Sequence, residues 1–310
     1  MQIVREIENF KPGAEPIYLA LGNFDGLHKG HQKLINEAVA AARNDNGIAA
    51  AFVFEPHPIK VLFPERAPKL LVTAQHKAEL MEKLGLNLLI YNSFTLAISK
   101  CTPEEFVQNI LINKLNITQA FAGFNYTFGH RGTGTPELLQ ELGKKHGFGV
   151  KIIPPVEVNG QVVSSSLIRK ALDAGDIKQS RAMLGYDPML EGQVIEGEQK
   201  GRTIGFPTAN LSVSSELSVP GKGVYAARAQ IRDGIFQAVV NIGSKPTFHE
   251  EYPISIEAHL IDFHDDIYGE KMRLFFIDKI RDERRFNNVE ELVGQITRDR
   301  DRAKQIAAGQ

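Results

Sequence analysis

The chain has 310 residues, with 36 lysines and arginines against 37 aspartates and glutamates, and this near-zero balance gives no bulk electrostatic case for binding nucleic acid or an acidic membrane. A hydrophobic fraction of 43% and a charged fraction of 24% are those of an ordinary soluble globular protein, and the length predicts two domains. The single cysteine, Cys101, excludes an internal disulfide and a cysteine-built metal site, and reads as a small buried residue rather than a nucleophile.

Residues 17–21 form a short apolar run, as in a strand buried on both faces of a parallel sheet. Gly22 and Gly26 then suit a sharp turn or a close backbone approach to a ligand. Residues 32–43 place Leu34, Ile35, Ala38, Val39 and Ala42 at helical spacing. The order is strand, glycine-rich turn, helix, with His28 and His31 at or near the helix start. A helix N-terminus offers free N–H groups and a partial positive charge to phosphate. Residues three apart share a helix face, so both histidines can point at one phosphate, and Gly30 between them leaves room for a bulky anion. Neither a Walker Gly-Lys-Ser/Thr nor a Gly-x-Gly-x-x-Gly occurs. A bare His-x-x-His is usually an exposed helix end; the buried strand and Gly-Asn-Phe-Asp-Gly turn before this pair point to function instead.

Further strands are expected at 48–54, 88–91, 119–122 and 150–153, alternating with helices near 73–84, 102–115 and 135–146. Thr102 and Glu105 have capping-box spacing. The alternation predicts an open parallel α/β sheet, which binds ligands at the carboxyl ends of its strands. Three motifs fall at such ends. Phe54-Glu55-Pro56-His57-Pro58 is a stiff loop, readable as a plain rigid connection. Gly123-Phe124-Asn125-Tyr126-Thr127-Phe128-Gly129 interleaves aromatics with glycines, either to stack on a flat ring or to pack the loop. Val163-Ser164-Ser165-Ser166-Leu167-Ile168-Arg169 opens a helix with hydroxyls and an arginine one turn on, giving a second anion site or an ordinary N-cap with a surface arginine.

A short helix at 177–184 and a turn at 185–188 precede a change of composition. From Leu190 the chain reads as strands with tight turns. Residues 224–231 and 235–242 form a hairpin around Arg232-Asp233-Gly234, with Asp-Gly as the turn signal. Further strands lie at 253–261 and 272–280, and the pattern suggests a small barrel. Residues 288–308 form a charged amphipathic helix with Val289, Leu292, Val293 and Ile296 as its apolar stripe, its charges reading as a solvated face. In Gly201-Arg202-Thr203-Ile204-Gly205-Phe206-Pro207-Thr208-Ala209-Asn210, Thr208 and Asn210 offer two neutral oxygens. They could hold Mg²⁺ together with ATP phosphates, or the segment could be a plain loop. Strand alternation puts Ile254, Ile256, Ala258 and Leu260 on one face and Ser255, Glu257 and His259 on the other.

Gly-Asn-Phe-Asp-Gly-Leu-His-Lys-Gly-His resembles the signature of the His-x-Gly-His nucleotidyltransferases, most closely the form in bacterial bifunctional riboflavin kinase/FAD synthetases. The likeness runs from about residue 19 to 184, with four motifs in the family's order. It implies that His28 and His31 act on the α-phosphate. It also implies that Gly22, Phe24, Asp25, Gly30, Asn125, Ser165, Ser166 and Arg169 bind ATP, and that Pro56, Pro58 and Phe128 bind flavin. Asn125 stands where many relatives carry Asp, Tyr126 where Phe is commoner, Ser166 for Thr, and Leu167 for a residue that is often Arg. Gly-Phe-Pro-Thr-Ala-Asn resembles the riboflavin kinase signature, and this likeness runs from about 190 to 292. It implies an ATP and flavin site at Gly201, Gly205, Phe206, Pro207, Thr208, Asn210 and Arg281. Thr208 and Asn210 would meet Mg²⁺, and Glu257 of the Glu-x-His segment would be the base. Residues 241–248 and 281–283 match further family segments.

The expectation is a Rossmann-like parallel α/β nucleotidyltransferase domain at 1–184, and a small riboflavin kinase-like β-barrel with a terminal helix at 188–310. The second would make FMN from riboflavin and ATP; the first would make FAD and pyrophosphate from FMN and ATP. Mg²⁺ is the expected cofactor and the partners are small molecules, with no nucleic acid and no membrane, while oligomerisation stays open. The N-terminus lacks a basic region followed by an apolar signal core, so a cytoplasmic location is expected. The alternatives are one active half, the same fold acting on another acceptor (a cytidylyltransferase or pantetheine-phosphate adenylyltransferase), or a flavin-binding regulator.

Overall fold

A computed structural model describes residues 1–197, 201, 204–244 and 254–308. Arg202, Thr203, residues 245–248 and Pro253, which belong to the motifs above, lie outside the described residues. The chain forms two compact units, Met1–Ser164 and the remainder from Ser165.

In the first unit, Gln2–Arg5 (β1), Ile17–Leu21 (β2), Ile48–Phe54 (β3), Leu88–Asn92 (β4), Ile117–Gly123 (β5) and Gly149–Ile153 (β6) form one sheet. Its order is β1-β4-β3-β2-β5-β6, and every pair is parallel. The helices are Lys29–Asn44 (α1), Pro58–Leu62 (α2), Ala74–Lys83 (α3), Pro103–Phe106 (α4) and Pro136–His146 (α5). Successive strand residues point to opposite faces. Ile17, Leu19 and Leu21 therefore join one apolar layer with Phe106, Leu111 and Leu139. Tyr18 and Ala20 join the other, with Leu34, Ile35 and Ala38 of α1 and Met81 of α3. The sheet is covered on both sides, which is why its strands read as apolar runs.

Threonines set the starts of α3, α4 and α5. Thr73 Oγ1 accepts from His76 N at 3.1 Å and Thr135 Oγ1 from Leu138 N at 3.2 Å. Thr102 and Glu105 form the expected capping box. The helix that follows does not continue as one α-helix: Val107–Ile112 is a π-helical turn, with Asn113 N donating to Gln108 O. This widening keeps Phe106, Val107, Leu111 and Leu115 all in the core. Two elements gave no apolar signal. The edge strand β1 buries only Val4. Glu157–Val158 (β7) and Gln161–Val162 (β8) pair around Asn159 and Gly160, whose φ of 53° and 72° suit a two-residue hairpin.

The second unit opens with Ser165–Asp173 (α6) and Ile177–Leu184 (α7). Met189–Ile195 (β9), Ala209–Val213 (β10), Gly223–Ile231 (β11), Gly234–Ser244 (β12), Ile254–Leu260 (β13) and Lys271–Arg281 (β14) follow, then Val289–Ala308 (α8). The six strands close into a barrel in the order β10-β13-β12-β11-β14-β9, antiparallel throughout. In its core, Tyr225 meets Phe276 edge to face at 5.6 Å.

Two local expectations are corrected. The hairpin's central residues are Arg232 and Asp233, because Ile231 pairs with Gly234; Arg232 takes a φ of 51° and its guanidinium Nε reaches Glu270 Oε2 at 2.9 Å. The charged face of α8 is not all solvated. Its buried residues are Asp299 and Ala303, while Val289 is 54% exposed. Asp299 receives Arg281 Nε at 3.1 and 3.0 Å and an Nη at 2.7 Å, so a bidentate ion pair binds α8 to β14. Among the described residues, no helix is long and apolar enough to cross a membrane.

Two candidate active sites

From β2 the chain winds one way through β3 and β4, and then back to the other side of β2 through β5 and β6. The direction reverses between β2 and β5, and in open α/β sheets ligands bind outside the carboxyl ends at that point. The Gly22–His31 turn leaves β2 there, and the Gly123–Gly129 loop leaves β5 beside it.

The turn is tightly built. Phe24, Gly26 and Leu27 all have positive φ, and Phe24 is wholly buried. A Cβ on Gly22 would lie 3.2 Å from the Phe24 ring, so glycine there admits the aromatic. The buried Asp25 carboxylate accepts Leu71 N at 2.9 Å. Lys77, on α3, donates from Nζ to Asn23 O at 2.9 Å. Of the residues expected at the nucleotide, Phe24 and Asp25 are buried in the frame of the turn and Gly22 is half-exposed at its start.

His28 caps α1. Its Nδ1 accepts from His31 N at 3.4 Å, which leaves the proton of the neutral ring on Nε2. The two imidazoles stack at 3.6 Å with 16° between planes, and the edge of Phe24 abuts His31 at 5.3 Å. A Cβ on Gly30 would stand 3.2 Å from His28 Nδ1 and Cε1, so Gly30 lets the ring lie over the first turn. Burial pushes His28 down to about 4. Burial pushes His31 well below the ordinary range as well, with the charges of His28 and Lys77 adding to it. Both rings are therefore neutral at pH 7. His31 Nδ1 is buried with no hydrogen-bond partner among the described residues. A polar atom left so beside a helix N-terminus marks a site built for something other than stability.

Lys77 carries no motif in the sequence; only the fold brings it under this turn. Burial lowers its pKa, against the pull of the Asp25 and Glu55 carboxylates. Its other two N–H groups have no hydrogen-bond partner among the described residues.

The surrounding loops divide between core and surface. Phe128, expected to meet flavin, is turned into the core against Phe106 and Tyr126. The aromatic exposed on that loop is Phe124, at 44%. Asn125 is exposed next to it. Pro56 and Pro58 flank His57, whose Nδ1 accepts Ile59 N at 3.2 Å and starts α2. No residue of α2 is buried, and Ile59 and Leu62, followed by Phe63, leave an apolar surface at the carboxyl end of β3. Ser165 begins α6 and Ser166 is exposed, while Arg169 is half-buried one turn on, with Ile168 anchoring the helix in the second unit.

The second site is assembled across strands. Asn210 of β10 stands directly opposite Glu257 of β13, and Glu257 opposite Asn241 of β12. Directly opposed residues share a face with Cβ atoms roughly 5 Å apart, so these three side chains form a row. Glu257 is half-buried, and Ser255 Oγ donates to its Oε1 at 3.1 Å. Two glycines make room around the ligand candidates. A Cβ on Gly197 would overlap the Asn210 amide at 2.0 Å, and one on Gly201 would strike Phe206 O at 2.3 Å while lying 3.5 Å from Thr208 Oγ1. Gly201 O accepts Phe206 N at 2.8 Å, folding the loop on itself, and Gly205 takes a φ of 85° there. His259 Nδ1 lies 2.8 Å from Pro207 O. Arg281, expected at flavin or phosphate, donates from Nε and one Nη to Asp299 and from the other Nη to Asp282 O. Among the described residues, no group of three or more His, Cys, Asp or Glu could hold a metal ion. A hydroxyl and an amide oxygen suit Mg²⁺ that is bound chiefly through phosphates and water.

Comparison with known proteins places a family model on each half of the chain. The FAD synthetase family model matches residues 11–167 and the riboflavin kinase model residues 184–307. A bifunctional riboflavin kinase/FMN adenylyltransferase of Bacillus subtilis is 38% identical, over 92% of this chain and 90% of its own. One from Listeria monocytogenes is 36% identical, over 91% and 89%. A crystal structure titled a macrolide-efflux protein from Streptococcus pneumoniae superposes with a TM-score of 0.89 at 30% identity, covering 97% of this chain and 98% of that one. The two-domain fold is thus that of a solved protein, whatever its title describes. With relatives this similar along nearly the whole chain, and a family model over each half, the chain belongs to the bifunctional riboflavin kinase/FMN adenylyltransferase family.

Proposed function

We propose that the chain makes FAD from riboflavin in two steps, with a kinase domain at 188–310 and an adenylyltransferase domain at 1–184. Riboflavin, FMN, FAD and ATP are its substrates and products, as the family implies.

In the kinase step Glu257 takes the proton from the ribityl 5′-hydroxyl as that oxygen attacks the γ-phosphorus of ATP. The new P–O bond forms, the bond to the β-phosphate oxygen breaks, and ADP leaves. Ser255 orients the carboxylate. Thr208 and Asn210 would hold Mg²⁺, which neutralises charge on the nucleotide phosphates. Gly201, Gly205, Phe206 and Pro207 shape the loop that presents them. Arg281 acts through Asp299, by fixing α8 to the barrel, rather than through a ligand.

In the adenylyl step a phosphate oxygen of FMN attacks the α-phosphorus of the second ATP, and pyrophosphate leaves. The nucleophile is already an anion, so no base is required. Catalysis is positioning and charge stabilisation. His28 Nε2–H and the N-terminus of α1 donate to the α-phosphate, with His31 and the Lys77 ammonium beside them. The neutrality of both rings fits this: His28 still donates from Nε2–H, and the free site holds no repelling pair of imidazolium charges. Ser165, Ser166 and Arg169 hold the leaving pyrophosphate, and Asn125 meets the nucleotide. Pro56, Pro58 and the apolar face of α2 support the isoalloxazine, with Phe124 in the place expected of Phe128.

The observation that carries the reading is that each unit has its own phosphate-transfer set: a stacked imidazole pair capping α1 at the sheet's reversal point, and a carboxylate registered beside Asn210. Purified protein incubated with riboflavin, ATP and Mg²⁺ should show FMN rising first and FAD following when the flavins are separated over time. Riboflavin and added FMN both left unconverted would overturn the reading.

A further inference from the structure

We infer that His259 is a positioning residue of the kinase site, clamping the loop that carries Thr208 and Asn210 so that Asn210 enters the barrel in register with Glu257. This rests on the kinase reading above.

The ladder between β10 and β13 begins only at Ala209, which faces Ala258, and continues with Asn210 facing Glu257. One step earlier, the same register sets Thr208 level with His259, where pairing of the two backbones has stopped. There the His259 side chain takes over: its Nδ1–H donates to Pro207 O at 2.8 Å. Its ring also meets the ring of the buried Phe206 in a T-shaped contact at 5.4 Å and 71°. Proline has no N–H, so Pro207 offers the sheet only its carbonyl, and His259 takes it. On the other side, His259 is held by β12, opposite Val239, so the clamp stands on a fixed strand. Among the described residues the loop is also tied internally, from Phe206 N at 2.8 Å and Ile204 N at 3.2 Å to Gly201 O.

The consequence is positional. Thr208 and Asn210 follow the clamped carbonyl by one and three residues. Freeing Pro207 would release both relative to Glu257, while Glu257 itself stays on its strand. The defect should therefore fall on nucleotide use by the kinase and leave adenylylation alone.

The test uses the full chain and two variants. His259→Phe keeps an aromatic ring against Phe206 but removes the donor; His259→Asn places an amide N–H near the position of Nδ1. Riboflavin phosphorylation and FMN adenylylation are measured in each, with the kinase KM for ATP separated from kcat. His259→Phe should lower the kinase kcat/KM about tenfold, chiefly through KM for ATP, and His259→Asn should recover to within about threefold, as expected for one well-aligned hydrogen bond. Conversion of added FMN should be unchanged in both. A wild-type chain without kinase activity would overturn the kinase reading itself. With the wild type active, an unimpaired His259→Phe, or a His259→Asn as impaired as His259→Phe, would overturn the role of His259.

Discussion

On the proposed function, the two sites would meet the same problem, an attack on phosphorus, by different constructions. In the first unit the reactive groups sit three residues apart on one helix start, and everything around them serves to hold that start. Phe24 packs beneath it, Asp25 ties it to Leu71, and Lys77 grips Asn23. In the barrel the groups are distant in sequence and meet only through strand register, Asn210 against Glu257. The first site is local and buried, with neutral imidazoles; the second is half-buried, with a carboxylate that can accept a proton. A site whose nucleophile arrives ionised needs donors, whereas one whose nucleophile is a hydroxyl needs a base.

That contrast breaks most sharply at Glu257. Glu257→Gln should slow riboflavin phosphorylation by roughly 10²–10⁴-fold, the usual worth of a general base, with conversion of added FMN intact. His31→Ala should do the reverse and slow FAD formation by roughly 10²–10³-fold, the scale of a lost transition-state donor. Flavin separation after each incubation reads both.

The buried neutrality of His28 can be tested without catalysis. Its pKa in the folded chain is about 4, below the ordinary value of 6.5, so the unfolded chain binds the extra proton first. The stability this group confers is complete above pH 6.5 and declines as pH falls toward 4, by up to about 3 kcal/mol. His28→Asn keeps a capping acceptor but not the titration, so denaturant midpoints of the variant should fall less than those of the wild type between pH 6.5 and 4. Equal declines would mean that His28 is not held neutral. The smallest effect is expected at Lys77: Lys77→Met should lower FAD formation about tenfold, the worth of one charge-assisted contact, and spare phosphorylation.

The same contrast explains what the sequence could say. The four inner strands of the first sheet were legible because they are largely buried on both faces and read as apolar runs, and the edge strand β6 was legible from Val150, Ile152 and Ile153 although it buries only the last. The edge strand β1, with Val4 alone buried, was not. His28 and His31 were legible because helix geometry turns a spacing of three into a shared face. Glu257 was distinguished from an ordinary strand carboxylate only by family resemblance, because no local rule sets residue 257 beside residue 210. Phe128 and Arg281 show what motif reading leaves out: one faces the core, and the other carries an ion pair with Asp299 that no motif announces. Lys77 and His259 act through backbone carbonyls of distant loops, and no composition or spacing announces such a contact.

The central claim is that each reaction has its own set of catalytic groups, and one mixing experiment addresses it most directly. Glu257→Gln and His31→Ala proteins, each greatly slowed at one of the two steps from riboflavin to FAD, are combined with riboflavin, ATP and Mg²⁺. The account predicts that the mixture makes FAD much faster than either protein alone, because FMN released by the His31 variant is adenylylated by the Glu257 variant. A mixture no faster than either protein alone, from two folded proteins, would contradict it.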